Sequence, residues 1–394
     1  MRRALDLLEL VQHKQVILCC GSGGVGKTTS AAALGLLAAA KGRRVLVMTI
    51  DPAKRLAQAL GLEELGHDPQ QINLQCESQG AMFAMMLDTK IAFDELVTRY
   101  APSEEVKQRI FNNSYYQHFS TSLAGSREFM AMEKVYEVVS DGRYDLLIVD
   151  TPPAQHALEF LEAPHRLFDL FEGAFVNLLV QPYKLAGKLG FEFFRRSSAP
   201  FLKLFERLTG YEVLNELSEF FLAFSGMFEG FKERSKKVDS MLHQTTTSFL
   251  LVCSPEPASL VQADGFFEYL EREGLSIGGL LINRVHSLDV PSETRLSDAA
   301  MEQLRAVPDA LLGGESLEQR LFACYREEVM LRAADMGAIH SAQITSGKIS
   351  FRCMPYFEHD LHSLEDLDRF AAHFLDSESV AEADTEADTE AGVN

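Results

Sequence analysis

Apolar residues along this chain gather into short runs separated by amphipathic stretches, and the alternation repeats. Gln15 to Cys20 is an apolar run that ends in a glycine-rich loop. Thr28 to Ala40, rich in Ala and Leu, reads as a helix, and Arg44 to Ile50 reads as a second strand. Ala81 to Leu87, Leu146 to Val149, Ser248 to Cys253, Gly279 to Ile282 and Ile349 to Met354 predict further strands. Met1 to Gln12 has the spacing of a short amphipathic helix. Short apolar strands joined by helical crossovers predict an α/β protein whose mainly parallel sheet is covered by helices on both faces.

One region breaks the alternation. From His165 to His243 there is no strand signal, and 13 of the 27 phenylalanines fall between Phe168 and Phe231. Leu217, Phe220, Phe221, Phe224, Phe228 and Phe231 recur at helical spacing on one face, as do Phe168, Phe171, Phe175 and Leu178. The expected organisation is a sheet core from residues 1–164 and 246–375, an inserted α-helical subdomain at 165–245, and a disordered acidic tail at 376–394. The tail repeats Glu-Ala-Asp-Thr from Glu382.

Composition narrows the classes. With 394 residues, 46% hydrophobic and 24% charged, the chain is expected to be soluble and globular. The net charge of -20 repels phosphate backbones, which argues against nucleic acid as a partner, although seven of the acidic residues lie in the tail from Asp376 to Glu390. None of Cys19, Cys20, Cys76, Cys253, Cys324 and Cys353 forms a C-x-x-C pair. Four of them sit in or beside apolar runs and read as small buried apolar residues rather than metal or redox ligands, in keeping with a reducing cytoplasm. No apolar run reaches the roughly 18 residues needed to span a bilayer.

The chemistry concentrates after the first strand. Gly21-Ser22-Gly23-Gly24-Val25-Gly26-Lys27-Thr28 satisfies G-x-x-x-x-G-K-[ST], between an apolar strand and a helix. Glycines let the backbone curl so that several N–H groups point at phosphate oxygens, and the helix N-terminus adds its dipole. The segment through Thr29 is therefore the predicted site of Mg-ATP, with Lys27 on the β- and γ-phosphates and the Thr28 hydroxyl on Mg2+. Asp150 follows the strand Leu146 to Val149, at the ligand-binding end of a parallel sheet. It suits a carboxylate that holds Mg2+ through its waters, or else a helix cap. Asp51, in Thr49-Ile50-Asp51-Pro52-Ala53, either orients the attacking water or caps a helix that has Pro52 as its first residue.

Together these segments resemble the arsenite-pump (ArsA) and tail-anchored-protein targeting ATPase family, a dimeric branch of P-loop ATPases, from about residue 14 to 372. The family's first switch, D-P-A, matches Asp51-Pro52-Ala53 and implies that Asp51 positions the water. Its second, D-T-x-P-x-x-H-x-L, matches Asp150-Thr151-Pro152-Pro153-Ala154-Gln155-His156-Ala157-Leu158, and Pro164 also matches. This implies switch roles for Asp51, Pro52, Asp150, Pro153 and His156. Val252-Cys253-Ser254-Pro255-Glu256 is similar to the family's V-x-x-P-E segment. Asn283 matches an adenine-reading asparagine, and Pro355-Tyr356 resembles the loop that packs on the base. Asn283-Arg284-Val285-His286 lacks the aspartate of the guanine-reading N-K-x-D, which favours ATP over GTP.

Two departures stand out. The family's G-K-G-G-V-G-K-[ST] uses its first lysine in trans across the dimer, and this chain has Ser22 there. The resemblance therefore implies either a slow homodimer or a heterodimer with a paralogue that carries the lysine. The targeting members also hold a zinc by C-x-x-C, so no zinc is expected here. The implied activity is an ATP-driven switch that captures and releases a hydrophobic client helix or membrane-protein segment, at times peripheral to a membrane and its receptor. Phe220, Phe221, Phe224 and Phe228 are the candidate groove, or else core. The alternatives are a regulatory ATPase and the motor of an arsenite-type pump.

Overall fold

The structure, a computed structural model, describes residues 5–74, 80–114, 116–117, 120, 126–152, 228–286, 317–342 and 349–375. Runs of Val, Ile, Leu, Met and Cys that bury both faces become its central strands. The strands are β1 Val16–Cys20, β2 Arg44–Thr49, β3 Gln70–Gln71, β4 Ala81–Met86, β5 Leu146–Asp150, β6 Thr247–Cys253, β7 Ile277–Val285 and β8 Phe351–Pro355. They form one sheet in the order β3-β4-β2-β5-β1-β6-β7-β8. Every pairing is parallel except the two-residue edge strand β3 against β4.

Alternation along the strands sends side chains to two cores. The helices are α1 Leu7–His13, α2 Lys27–Ala40, α3 Arg55–Ala59, α4 Thr89–Tyr100, α5 Glu104–Phe111, α6 Ser126–Asp141, α7 Phe228–Leu242, α8 Pro257–Arg272, α9 Leu317–Ser341 and α10 Leu364–Ala372. Ile17, Cys19, Val45 and Val47 face the side covered by α1, α2, α3 and α10. Leu18, Cys20, Leu46 and Met48 face the side covered by α4, α6, α7 and α8. The α/β expectation, with a mainly parallel sheet between helical layers, holds.

Register decides where the chemistry collects. Asp150 lies level with Thr49 on one side and Cys19 on the other, so β1, β2 and β5 deliver their C-terminal residues to one rim. The opposite rim is tied by Arg43, whose guanidinium donates to the carbonyls of Val11, Lys14 and Asp145. Each accepting or donating residue there lies at or before the start of its strand, so this clasp sits at the far end of the sheet.

Some boundaries differ from the sequence reading. β7 is longer than Gly279–Ile282 and includes Asn283, because its pairing with β8 continues past an irregularity between Ile282 and Val285. Arg284, at φ 65°, sits within that irregularity. Pro52 is not a first helical residue, since α3 starts at Arg55 with Lys54 as its cap. Pro153, His156, Phe220, Phe221, Phe224, the tail 376–394 and most of the expected insertion lie outside the described residues. Among the described residues, no helix is long and apolar enough to cross a membrane.

Candidate functional site

The loop Gly21 to Gly26 joins β1 to α2 and is wedged between neighbouring strands. A Cβ on Gly21 would stand 1.9 Å from the Val252 carbonyl oxygen. Gly24 and Gly26 hold the left-handed φ values of 78° and 96° that glycine adopts without a steric cost. Gly26 caps α2 without any side-chain hydrogen bond, so the first-turn N–H groups point out of the helix toward whatever anion enters. Lys27 is buried, and its ammonium arches back over the loop to donate to the Ser22 carbonyl at 2.8 Å. Burial pulls its pKa down, while the nearby Asp150 carboxylate opposes that shift.

Asp150 gathers two hydroxyls. Thr28 Oγ1 donates to its Oδ2 at 2.8 Å and Thr49 Oγ1 donates to the same atom at 2.9 Å. Its other oxygen, Oδ1, is buried with no hydrogen-bond partner among the described residues. Burial raises the pKa of this carboxyl, against the two hydroxyl bonds and the Lys27 charge. Because Thr28 has turned its proton onto Asp150, its oxygen lone pairs are left for a cation. A buried anionic oxygen lacking a donor, beside a hydroxyl with free lone pairs, fits a hard divalent ion such as Mg2+. Thr28 would ligate it and Asp150 would hold it from behind.

Thr49, given no role in the sequence reading, links the two switch segments. Its hydroxyl donates to Asp150 and accepts the Asp51 amide at 3.3 Å. The Asp51 carboxylate accepts the Ala53 amide at 2.9 Å and lies 3.3 Å from the exposed Arg55 guanidinium. Asp51 thus closes a turn after β2 while its half-buried carboxylate stays at the rim.

At the other side of the loop, buried Asn283 donates from Nδ2 to the Val25 carbonyl at 2.8 Å. Tyr356 follows Pro355 at the end of β8, is half exposed, and stacks on His286 with ring centroids 5.0 Å apart and planes at 20°. The His286 backbone amide and ring Nδ1 both bond Asp335 Oδ2 on α9, at 2.9 and 2.8 Å. This platform offers a flat aromatic surface beside Asn283. Neither His286 nor Asp335 was legible as part of it.

Ser22 is held in cis. Its hydroxyl lies 3.0 Å from that of Ser259 on α8, which also accepts the Ser254 amide at 3.0 Å. Cys19, Cys20 and Cys253 are buried, and Cys353 is nearly so. Burial pushes the Cys20 and Cys353 thiols up to about 12, as expected of inert core cysteines.

The structure therefore brings Ser22, Lys27, Thr28, Asp51, Asp150, Asn283 and Tyr356 to one rim, on the loops and strand ends around β1. Comparison with known proteins places the chain as a whole. A profile described as "Anion-transporting ATPase" matches residues 14–299. An "ATPase ASNA1 homolog" of Plasmodium yoelii yoelii is 24% identical over 389 residues, covering 95% of this chain and 91% of the relative. An "ATPase GET3" of Malassezia globosa is 25% identical over 270 residues, covering 68% and 72%. An "ATPase ASNA1 homolog" of Babesia bovis is 26% identical over 283 residues, covering 71% and 69%. With the profile spanning well over half of the sequence, on a parallel sheet with a glycine loop after its first strand, the chain belongs to the anion-transporting ATPase (ArsA) family.

Proposed function

We propose that this protein is an Mg-dependent ATPase whose hydrolysis cycle drives capture and release of a hydrophobic client helix. The observation that carries the ATPase reading is the chain Thr28–Asp150–Thr49–Asp51, which joins the phosphate loop to both switch segments through hydrogen bonds of 2.8, 2.9 and 3.3 Å. Lys27 and the loop amides bind the β- and γ-phosphates. Thr28 would ligate Mg2+ with Asp150 behind it, and the ion would supply neutralisation of charge on the phosphate oxygens. Asp51 orients the water that attacks the γ-phosphorus as the bond to the ADP oxygen breaks. Asn283 and Tyr356 receive the adenine.

The same chain supplies a path for coupling. Release of the γ-phosphate would free the Asp51 carboxylate from the water it orients, and Thr49 would pass that change to Asp150 and the segment after it. The phenylalanine-rich stretch that follows has the helical spacing of a groove for an apolar helix. The resemblance to the targeting ATPases supports a dimer that forms this groove when ATP closes it. Ser22, engaged in cis by Ser259, favours a second reading of the partner: the trans cation comes from a paralogue with the signature lysine.

Binding of a labelled 20-residue apolar helix, measured with and without Mg-ATP, tests the client reading. The wild type should capture it in a nucleotide-dependent way. A Phe221→Ser, Phe224→Ser, Phe228→Ser variant should keep its thermal stability and lose capture. If that variant melts early, these positions are core; if it is stable and binds equally well, the groove lies elsewhere.

A further inference from the structure

Ser259 is the branch point of a polar chain that ends on the Lys27 ammonium. It is the third residue of α8 and is buried. Its Oγ accepts the Ser254 amide at 3.0 Å, which fixes it to the loop after β6. Having accepted there, the hydroxyl keeps its proton and a second lone pair for Ser22 Oγ, 3.0 Å away and 237 residues earlier. The carbonyl of that same Ser22 accepts the Lys27 ammonium at 2.8 Å. The position of the Ser22 peptide therefore sets the direction of the ammonium, and α8 sets the position of the Ser22 peptide.

We propose that Ser259 is a positioning residue for Lys27: by holding Ser22 in cis it fixes the phosphate loop in the form that presents the ammonium to a nucleotide. The inference deepens the Mg-ATP reading and rests on it. It also assigns the Ser22 side chain a task within its own subunit. The two remaining N–H groups of the ammonium are directed by one anchored carbonyl, so a loop freed from α8 loses orientation rather than charge.

The test is a double-mutant cycle on Mg-ATP affinity in the full chain, read by calorimetry beside melting without nucleotide. Ser22→Ala should weaken Mg-ATP binding about three- to tenfold, the worth of one buried neutral hydrogen bond, with little change in melting. Ser259→Ala should weaken it by the same factor and also melt earlier, because the Ser254 amide loses its acceptor. The double variant should bind no more weakly than Ser259→Ala, and Ser259→Thr should restore affinity. Wild-type affinity in Ser22→Ala, or losses that multiply in the double variant, would overturn the proposal. If Ser259→Ala fails to fold, Ser22→Ala decides alone, since it leaves the Ser254 amide paired. Lys27→Ala is the separate control: retained Mg-ATP binding there removes the nucleotide reading itself and this inference with it, whereas lost binding there with an unaffected Ser22→Ala removes only the role of Ser259.

Discussion

Asn283 supports the phosphate loop from below: its Nδ2 donates to the Val25 carbonyl at 2.8 Å, across 258 residues of chain. In the proposed function the same side chain also contacts the base. Asn283→Ala should lower affinity for ATP and GTP together by loosening the loop, and should in addition shrink the ATP-over-GTP preference of the wild type. Competition binding separates the two effects. A common loss with an unchanged ratio would leave Asn283 as loop support and take away its role in reading adenine.

Gly26→Ala should be far more damaging than Gly24→Ala. Both glycines hold positive φ, so alanine at either costs about 1–2 kcal/mol of backbone strain. At Gly24 the new Cβ meets open space, whereas at Gly26 it would lie 2.2 Å from Asn283 Nδ2. Gly26→Ala is expected to lose nucleotide binding at concentrations where Gly24→Ala still binds. Equal affinities in the two variants would contradict the packing of this loop on β7.

Asp51→Asn should bind Mg-ATP close to normally and hydrolyse it about 10²- to 10⁴-fold more slowly, the range for loss of a positioned proton acceptor. Asparagine keeps an oxygen for the Ala53 amide, so the turn survives. The ion pair to Arg55, exposed on the arginine side, contributes little. Single-turnover rates compared with equilibrium affinity make the distinction, and parallel loss of both would mean that Asp51 only shapes the turn.

Asp150→Asn should abolish Mg-dependent binding while stabilising the nucleotide-free chain. Burial raises the folded-state pKa of this carboxyl, so ionising it costs more in the folded chain than in the unfolded one. Its favourable contribution is complete below the unfolded value of about 3.9 and is lost as pH rises through the raised folded value. The stability advantage of Asp150→Asn over wild type should thus grow from acid toward neutral pH. Denaturant unfolding at several pH values reads this directly, and a variant less stable than wild type at neutral pH would refute it.

The sequence was legible where apolar runs bury both faces and where a motif is contiguous. β1, β2, β4, β5 and β6 lie close to their expected bounds, and Asp150 ends its strand on the expected rim. β3 escaped notice because Gln70–Gln71 carries no apolar signal and exists only through its pairing with β4. The extension of β7 past Ile282 depends on an irregularity with Arg284 at positive φ, a conformation that its residue type does not announce. Thr49, Ser259, His286 and Asp335 were missed for a different reason. Each acts through a partner distant in sequence, and only the folded sheet brings Thr49 to Asp150 or Ser259 to Ser22. Ser22 itself was read as a missing lysine, and the structure adds that its hydroxyl has an occupation of its own.

The Arg43 clasp at the far rim gives the molecule a direction in which to come apart. The guanidinium reaches the Val11 and Lys14 carbonyls before β1 and the Asp145 carbonyl before β5, so its planar fork binds the approaches to the two strands as one unit. Fluctuations are then easiest at the rim away from the clasp, where Asp150 Oδ1 is buried with no hydrogen-bond partner among the described residues. Hydrogen exchange should be graded along the strands, with the amides near Val16 and Val45 waiting for global unfolding and those near Cys20 and Asp51 escaping through smaller openings. Nucleotide would slow only the second group, so that the working rim stiffens and loosens in each cycle against an end that never opens.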